Sequence, residues 1–469
     1  MDSRSATGAF GCGIALLFWL DRDREARTSS ALWLAVAWFF FCSSRTFAQW
    51  LGIYPLTETS EALVAGSPVD AATYFALLVA SVVVLAGRRE RVAMFLRANG
   101  PLLLFLLYCG ISVLWSDFPF VALKRWTKAL GDVSTILIVL TDGEPIVALK
   151  RLLARAGFVL VPVSILLIRY YPTLGRDYSD WTGAAYNMGV ATGKNGLGYV
   201  CLVFGLASVW RLNEALRGEE DTHKFGSLAA HSILLVLVLW LFQMAQSATS
   251  FFCFLMGSAL IVIAGHRAIA RERVIVHMLV AVMLFVVVYG LFLNPGTGLA
   301  EMAGRDSSLT GRTTLWNQVL RLTVDPLFGA GYESFWLGDR LEYMWSINWE
   351  HPNQAHNGYL EIFLDLGWAG VALLGVLMIC GYRNVARALR WDLESAKLRL
   401  AFFVVAASYN LTEHAFRELH PVWIGFLLAI IAVPEPLARE TEEATPSLEQ
   451  SPHGPDWSIA ASAMHEVDV

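Results

Sequence analysis

Hydrophobic positions in this chain come in unbroken runs of about fifteen to twenty-five residues, separated by short charged connectors, without the period-two alternation of strands. Only helices and closed barrels satisfy the backbone in lipid, so the pattern predicts an all-α, polytopic membrane helical bundle. About thirteen candidate spans emerge: Thr7–Leu20, Ser29–Ala48, Asp70–Gly87, Gly100–Trp115, Trp126–Thr141, Leu152–Tyr170, Asn195–Leu212, Ala229–Ala245, Ser250–Gly265, Val274–Leu293, Gly358–Gly381, Leu398–Leu411 and Val422–Val433. The first and the last two are short, which sets a range of about ten to fourteen transmembrane helices. One long connector interrupts the series. The organisation expected is an N-terminal bundle over 1–293, a large loop over 294–357, C-terminal spans over 358–433 and a tail over 434–469.

Composition agrees with the pattern. Of 469 residues, 56% are hydrophobic and 16% charged, against about 25% charge in a soluble domain. The mean hydropathy is +0.52. With a net charge of −5, nothing suggests a nucleic-acid partner. Part of that charge belongs to the tail "PEPLARETEEATPSLEQSPHGPDWS", whose proline, acid and serine content predicts disorder. The six cysteines, Cys12, Cys42, Cys109, Cys201, Cys253 and Cys380, sit one per span, so no disulfide or metal framework is expected. The first apolar run lacks the basic start and small-residue cleavage site of a secretory signal. No fixed-period repeat is visible.

Charge placement predicts sidedness. Connectors holding Arg22, Arg24 and Arg27, then Arg88, Arg89, Arg91 and Arg97, then Arg267, Arg271 and Arg273, then Arg383, Arg387, Arg390 and Lys397, share one side if every span crosses once. That side is expected to be the cytoplasm. The long connector, with Arg305, Arg312, Arg321 and Arg340, then faces outward, and so does "YPTLGRDYSDWTGAAYNMGVATGK" from Tyr171 to Lys194.

Candidate chemistry gathers in those outward segments. Within the long connector, Thr310 to Val324 reads as an amphipathic helix with Leu315, Trp316, Val319 and Leu322 on one face and Pro326 beyond its end. Such a helix can lie at the membrane surface with Trp316 in the interface. With Thr310 as N-cap, Arg312 stands in a first turn whose free N–H groups already favour an anion. A cation fits there when it shares an anionic ligand. Arg305 can converge on the same site, since guanidinium forks suit phosphate oxygens, or these arginines touch lipid headgroups or Asp306.

A second focus is "HPNQAHNGYLEIFLDLGWAG", from His351 to Gly370. His356 lies at the start of a span, where the helix dipole favours a neutral imidazole able to take a proton from a hydroxyl. Its plainer role is to cap the helix. A metal site with His351 is not expected, because the spacing after a proline gives no common helical face and no carboxylate–histidine cluster accompanies it. Glu361 and Asp365 share one stripe of the same span and should face the bundle interior or a wet cavity. Either can orient His356 or bind an acceptor sugar, and as a proton relay they would suit a transporter. Gly367, Gly370 and Gly375 read as helix-packing positions.

These residues carry a family resemblance. "HNGYLEIFLDLGWAG" is similar to the pattern His–Asn, nine residues, Gly, two residues, Gly at the end of the large periplasmic loop in the O-antigen ligase and polysaccharide polymerase superfamily. "GRDSSLTGRTTLW", "DPLFGAGYESFW", "SDFPFVALKRWTKALGD" and "GVATGKNGLG" resemble its exopolysaccharide-production branch, and the likeness runs from about Trp33 to Gly425. The resemblance implies an all-helical, metal-independent and cofactor-free glycosyltransferase of the bacterial inner membrane. It would pass a glycan from an undecaprenyl-diphosphate carrier to an acceptor hydroxyl at the periplasmic face, alongside other polysaccharide assembly and export proteins. Arg312 matches the arginine assigned to the donor diphosphate, and His356 the histidine that activates the acceptor. Arg305 and Asn357 belong to the motifs as further substrate-binding candidates, with Glu361.

One departure stands out. Many O-antigen ligases carry a Ser-Arg-Gly stretch where this chain has "QSATSFF", from Gln246 to Phe252. Arg125, Lys194, Arg169 and Arg176 are candidates to replace that arginine. The departure favours polymerisation of exopolysaccharide repeat units over ligation to lipid A-core. A transporter or flippase of lipid-linked or anionic cargo is the alternative of another class, though no inverted repeat supports it, and a scaffold for export would leave the polar loop unused.

Overall fold

A computed structural model describes residues 2–23, 27–54, 59–178, 183–217, 224–289 and 309–434. Each apolar run carries a helix, and several begin where the sequence places a proline. Pro68, Pro119, Pro145 and Pro421 stand in the first turn of their helices, where the missing N–H has no partner to lose.

Fewer runs cross a bilayer unaided than their number suggested. Among the described residues, five helices are long and apolar enough: Ser60–Gly87, Pro145–Tyr170, Lys194–Arg217, Phe225–Ala245 and Gly358–Ala388. A sixth is formed if Arg89–Ala98 and Gly100–Trp115, bent by 89° at Asn99, count as one span. Others are short. Pro421–Ile430, with 10 residues, rises only about 15 Å of a hydrocarbon core about 30 Å thick.

Pro145–Tyr170 and Lys194–Arg217 bury more than two thirds of their most apolar stretch inside the protein, and so form the centre of the bundle. Ser60–Gly87 and Phe225–Ala245 leave most of theirs on the outside, as lipid-facing helices do. The cytoplasmic connectors expected from charge are tied together at one end of the bundle. Arg88 meets Ser29 and Asp142, Arg91 donates to the carbonyls of Thr141 and Asp142, and Lys150 joins Glu214 to Glu394.

At the other end lie the polar segments. A two-stranded antiparallel ribbon, Arg176–Tyr178 with Ala185–Asn187, is the only sheet among the described residues. The amphipathic helix spans Leu309–Arg321, so Thr310 lies within its first turn and is not its N-cap. Nor does Trp316 face lipid: its indole donates to the Ala355 carbonyl at 2.8 Å. With Leu315 and Val319 it packs on a loop core that includes Phe335, Leu341, Met344 and Leu364. Burying that apolar face against protein satisfies the same driving force as burying it in the interface. Arg305 and the tail after residue 434 lie outside the described residues.

Candidate active site

The Gly358–Ala388 helix is broken at Gly367, whose φ of 63° and ψ of −167° belong to no helix. A break inside a span strands backbone groups that lipid cannot satisfy. The "DPLFGAG" segment fills the gap. Trp368 and Ala369 donate to the carbonyls of Pro326 and Leu327, while Ala330 and Gly331 donate to those of Leu364 and Asp365, all at 2.8–3.1 Å. Gly329 and Gly331 take positive φ there, and a Cβ on Gly329 would strike the Asp365 backbone.

The intramembrane acids hold this joint. Asp365 Oδ1 accepts from the amides of Ser334 and Phe335, each at 2.9 Å. Glu361 is fully buried, accepting from the Trp336 indole at 2.8 Å and from the Ala355 amide. Glu361 thus fixes the two residues that frame the loop core rather than reaching His356.

His356 sits just before the helix, in the left-handed region with φ 52°. Asn357 is the N-cap: its side chain accepts from the amides of Tyr359 and Leu360 and donates to the Leu411 carbonyl. Gly358 presses on Asn410, where a Cβ would clash with the side-chain amide oxygen, and its own amide donates to the carbonyls of Asn410 and Glu413. The same Asn410 oxygen accepts from the amides of Ala415 and Phe416. The "HNG" motif is therefore the clamp between the long loop and the turn that follows Leu393–Tyr409.

That turn supplies the link between the two foremost sequence candidates. Glu413 Oε2 lies 3.4 Å from His356 Nδ1, and Glu413 Oε1 lies 3.6 Å from an Arg312 guanidinium nitrogen. Arg312 also donates to the Thr412 carbonyl at 2.6 Å, and Asn195 donates to Glu413 Oε2 at 3.2 Å. Arg312 and His356, 44 positions apart in the chain, thus converge on one carboxylate that is 8% exposed. With a proton on Nδ1 facing Glu413, the His356 Nε2 lone pair remains to accept a proton from a substrate.

The other candidates are dispersed. Lys194 is exposed at the start of its helix, one residue before Asn195. Arg125 donates to the Glu333 carbonyl and lines a separate cavity. Arg176 lies on the ribbon, donating to Ile168 O at 3.0 Å, and Arg169 covers the Trp240 ring. His351 stacks on Trp345. The turn lacking the ligase arginine lies near the centre, since Thr249 Oγ1 is 3.2 Å from Thr412 Oγ1. No group of three or more metal-ligating side chains occurs among the described residues.

Sequence reading missed "NLTEHAFRELHP", from Asn410 to Pro421, which brings Glu413 to the site and sets His414, Arg417 and Glu418 in the wall of the neighbouring cavity. Its signal was available: ionisable residues packed this densely in a short connector between two apolar helices are costly unless used. Burial, then the Arg417 charge, holds the His414 imidazole well below its ordinary range. Burial, then the Glu418 charge, pushes the Glu333 carboxyl up.

Residues 232–375 match the family model described as O-antigen ligase, the superfamily this membrane helical bundle is similar to. Among individual proteins, the chain is similar to the exopolysaccharide production protein ExoQ of Rhizobium meliloti, 27% identical over 370 residues, covering 75% of this chain and 81% of the relative. It is also similar to a protein named as a candidate polysaccharide ligase in Rickettsia prowazekii, 20% identical over 343 residues, covering 71% and 80%.

Proposed function

We propose that this protein is a glycosyltransferase of the bacterial inner membrane. It takes a glycan from an undecaprenyl-diphosphate carrier and joins it to a sugar hydroxyl at the periplasmic face, polymerising exopolysaccharide repeat units. The observation that carries this reading is the meeting of Arg312 and His356 on Glu413, at the end of the bundle opposite the basic connectors. The likeness to an exopolysaccharide production protein favours polymerisation.

In this reading His356 Nε2 takes the proton of the acceptor hydroxyl as its oxygen bonds to the anomeric carbon of the donor sugar. The bond from that carbon to the carrier breaks, and the electron pair leaves on the diphosphate, whose charge Arg312 stabilises. A lipid carrier keeps its diphosphate at headgroup depth, which is why the cation belongs at a helix–loop boundary. Lys194, next to Asn195, is a further donor toward the anion, in place of the absent ligase arginine.

The test uses protein in nanodiscs with a lipid-diphosphate-linked oligosaccharide, following glycan length and released carrier. Wild type is expected to lengthen glycans, and Arg312→Ala and His356→Ala to reduce transfer at least about a hundredfold. Release that requires added lipid A-core would assign ligation instead. Carrier movement across the bilayer without any transfer would replace the enzyme by a transporter.

A further inference from the structure

Beside the candidate active site lies a cavity of about 700 Å³, well inside the size range of small-molecule sites. It is walled by Ser60–Gly87, by the outer end of Pro119–Leu140, and by residues 414–418. Arg312 and His356 do not line it. His414 and Asn353 do, one residue beyond Glu413 and three residues before His356, so the cavity adjoins the reacting groups across one turn of chain.

Its lining has an unusual chemistry for membrane depth. Aromatic rings of Trp38, Tyr74, Phe75, Phe120 and Trp336 form much of the wall, Phe75 and Phe120 being strongly exposed. Between them are charges of both signs: Lys124, Arg125, Lys128 and Arg417 with Asp70, Glu333, Asp365 and Glu418. Part of this is committed internally, since Asp70 accepts from the Ala48 amide at 2.8 Å and Lys124 donates to the Ala65 carbonyl. Two buried polar atoms are not. The Tyr74 hydroxyl, on a residue 4% exposed, and His414 Nε2, on one 6% exposed and 3.7 Å from Glu333 Oε1, have no hydrogen-bond partner among the described residues. Leaving such groups unsatisfied is costly, a cost that a ligand bearing donors and acceptors would remove.

The lining selects among occupants. A prenyl tail offers nothing to eight charged side chains. A diphosphate would meet four carboxylates. A sugar presents hydroxyls that both donate and accept, and apolar C–H faces that lie against aromatic rings. We propose that this cavity is a saccharide-binding site, holding the sugar residues next to the reacting bond, an inference that rests on the glycan-transfer reading. Tyr74, Lys128 and His414 are its specificity-determining contacts.

The experiment measures binding apart from turnover. The probe is the lipid-free oligosaccharide released by mild acid from the producing cell's polyprenyl-linked intermediates, titrated into nanodisc protein and followed by tryptophan fluorescence and saturation-transfer NMR. Wild type and Arg312→Ala are expected to bind equally. Tyr74→Phe and Lys128→Met are expected to bind about tenfold more weakly, the effect of one lost hydrogen bond. Unchanged affinity in both folded variants overturns the site, as does absence of binding by wild type or displacement by inorganic pyrophosphate alone. Saccharide binding that the two variants weaken, in a wild type that transfers nothing, upholds the cavity while removing the transferase reading.

Discussion

Glu413 meets Arg312, His356 and Asn195, and its two oxygens divide the work between the cation and the imidazole. Removing the charge while keeping the shape should separate orientation from binding. Glu413→Gln is expected to lower kcat about tenfold to a hundredfold, the scale of a general base that has lost its partner, with little change in the KM for the lipid-linked donor. Glu413→Asp should recover part of the loss. A raised KM with unchanged kcat would instead make Glu413 a binding residue. Arg312 and His356 were legible in the sequence because each sits beside a helix start in a recognisable motif. Glu413 was not, because nothing local ties a glutamate in a short connector to residues 57 and 101 positions earlier.

At the scale of elements, the break at Gly367 decides how the long loop docks. The sequence grouped Gly367, Gly370 and Gly375 as packing glycines, yet they differ. A Cβ at Gly367 would run into the Leu327 backbone and would have to hold φ 63° with ψ −167°, a combination that strains any residue with a side chain, whereas one at Gly375 meets nothing within 4 Å. Gly367→Ala should therefore cost about 1–3 kcal/mol in backbone strain alone, and more as "DPLFGAG" is displaced. The expected result is a lower Tm in detergent and loss of transfer, while Gly375→Ala stays close to wild type. Equal behaviour of the two variants would show that the docked loop contributes little.

For the whole molecule, the basic connectors predict which face meets the cytoplasm. Single cysteines placed at Ser346 and Glu90, both exposed, can be read with a membrane-impermeant maleimide in a background lacking Cys12 and Cys380. Ser346→Cys is expected to label in intact spheroplasts, and Glu90→Cys only after permeabilisation. The reverse pattern would invert the bundle and put Arg312 and His356 on the cytoplasmic face. The expected orientation follows from the basic connectors, whose charge acts through insertion energetics and needs no tertiary contact.

The apolar runs, the polar segments between them and the motif glycines were determined by the sequence itself, because helix formation in lipid is a local backbone requirement. Helix ends were not: spans expected to begin at Trp126 and Leu152 begin at Pro119 and Pro145, and Thr310 lies inside its helix rather than capping it. What only the tertiary structure decided was the company each polar group keeps. Glu361 and Asp365 looked free to serve the site, but the backbone amides and indole of a distant loop take them up. Trp316 looked lipid-facing, but the loop has a core of its own. Glu413 entered the site because Gly358 and Asn410 bring two chain segments together. Buried polar groups must be paired, and the partner is chosen by the fold rather than by the neighbouring residues.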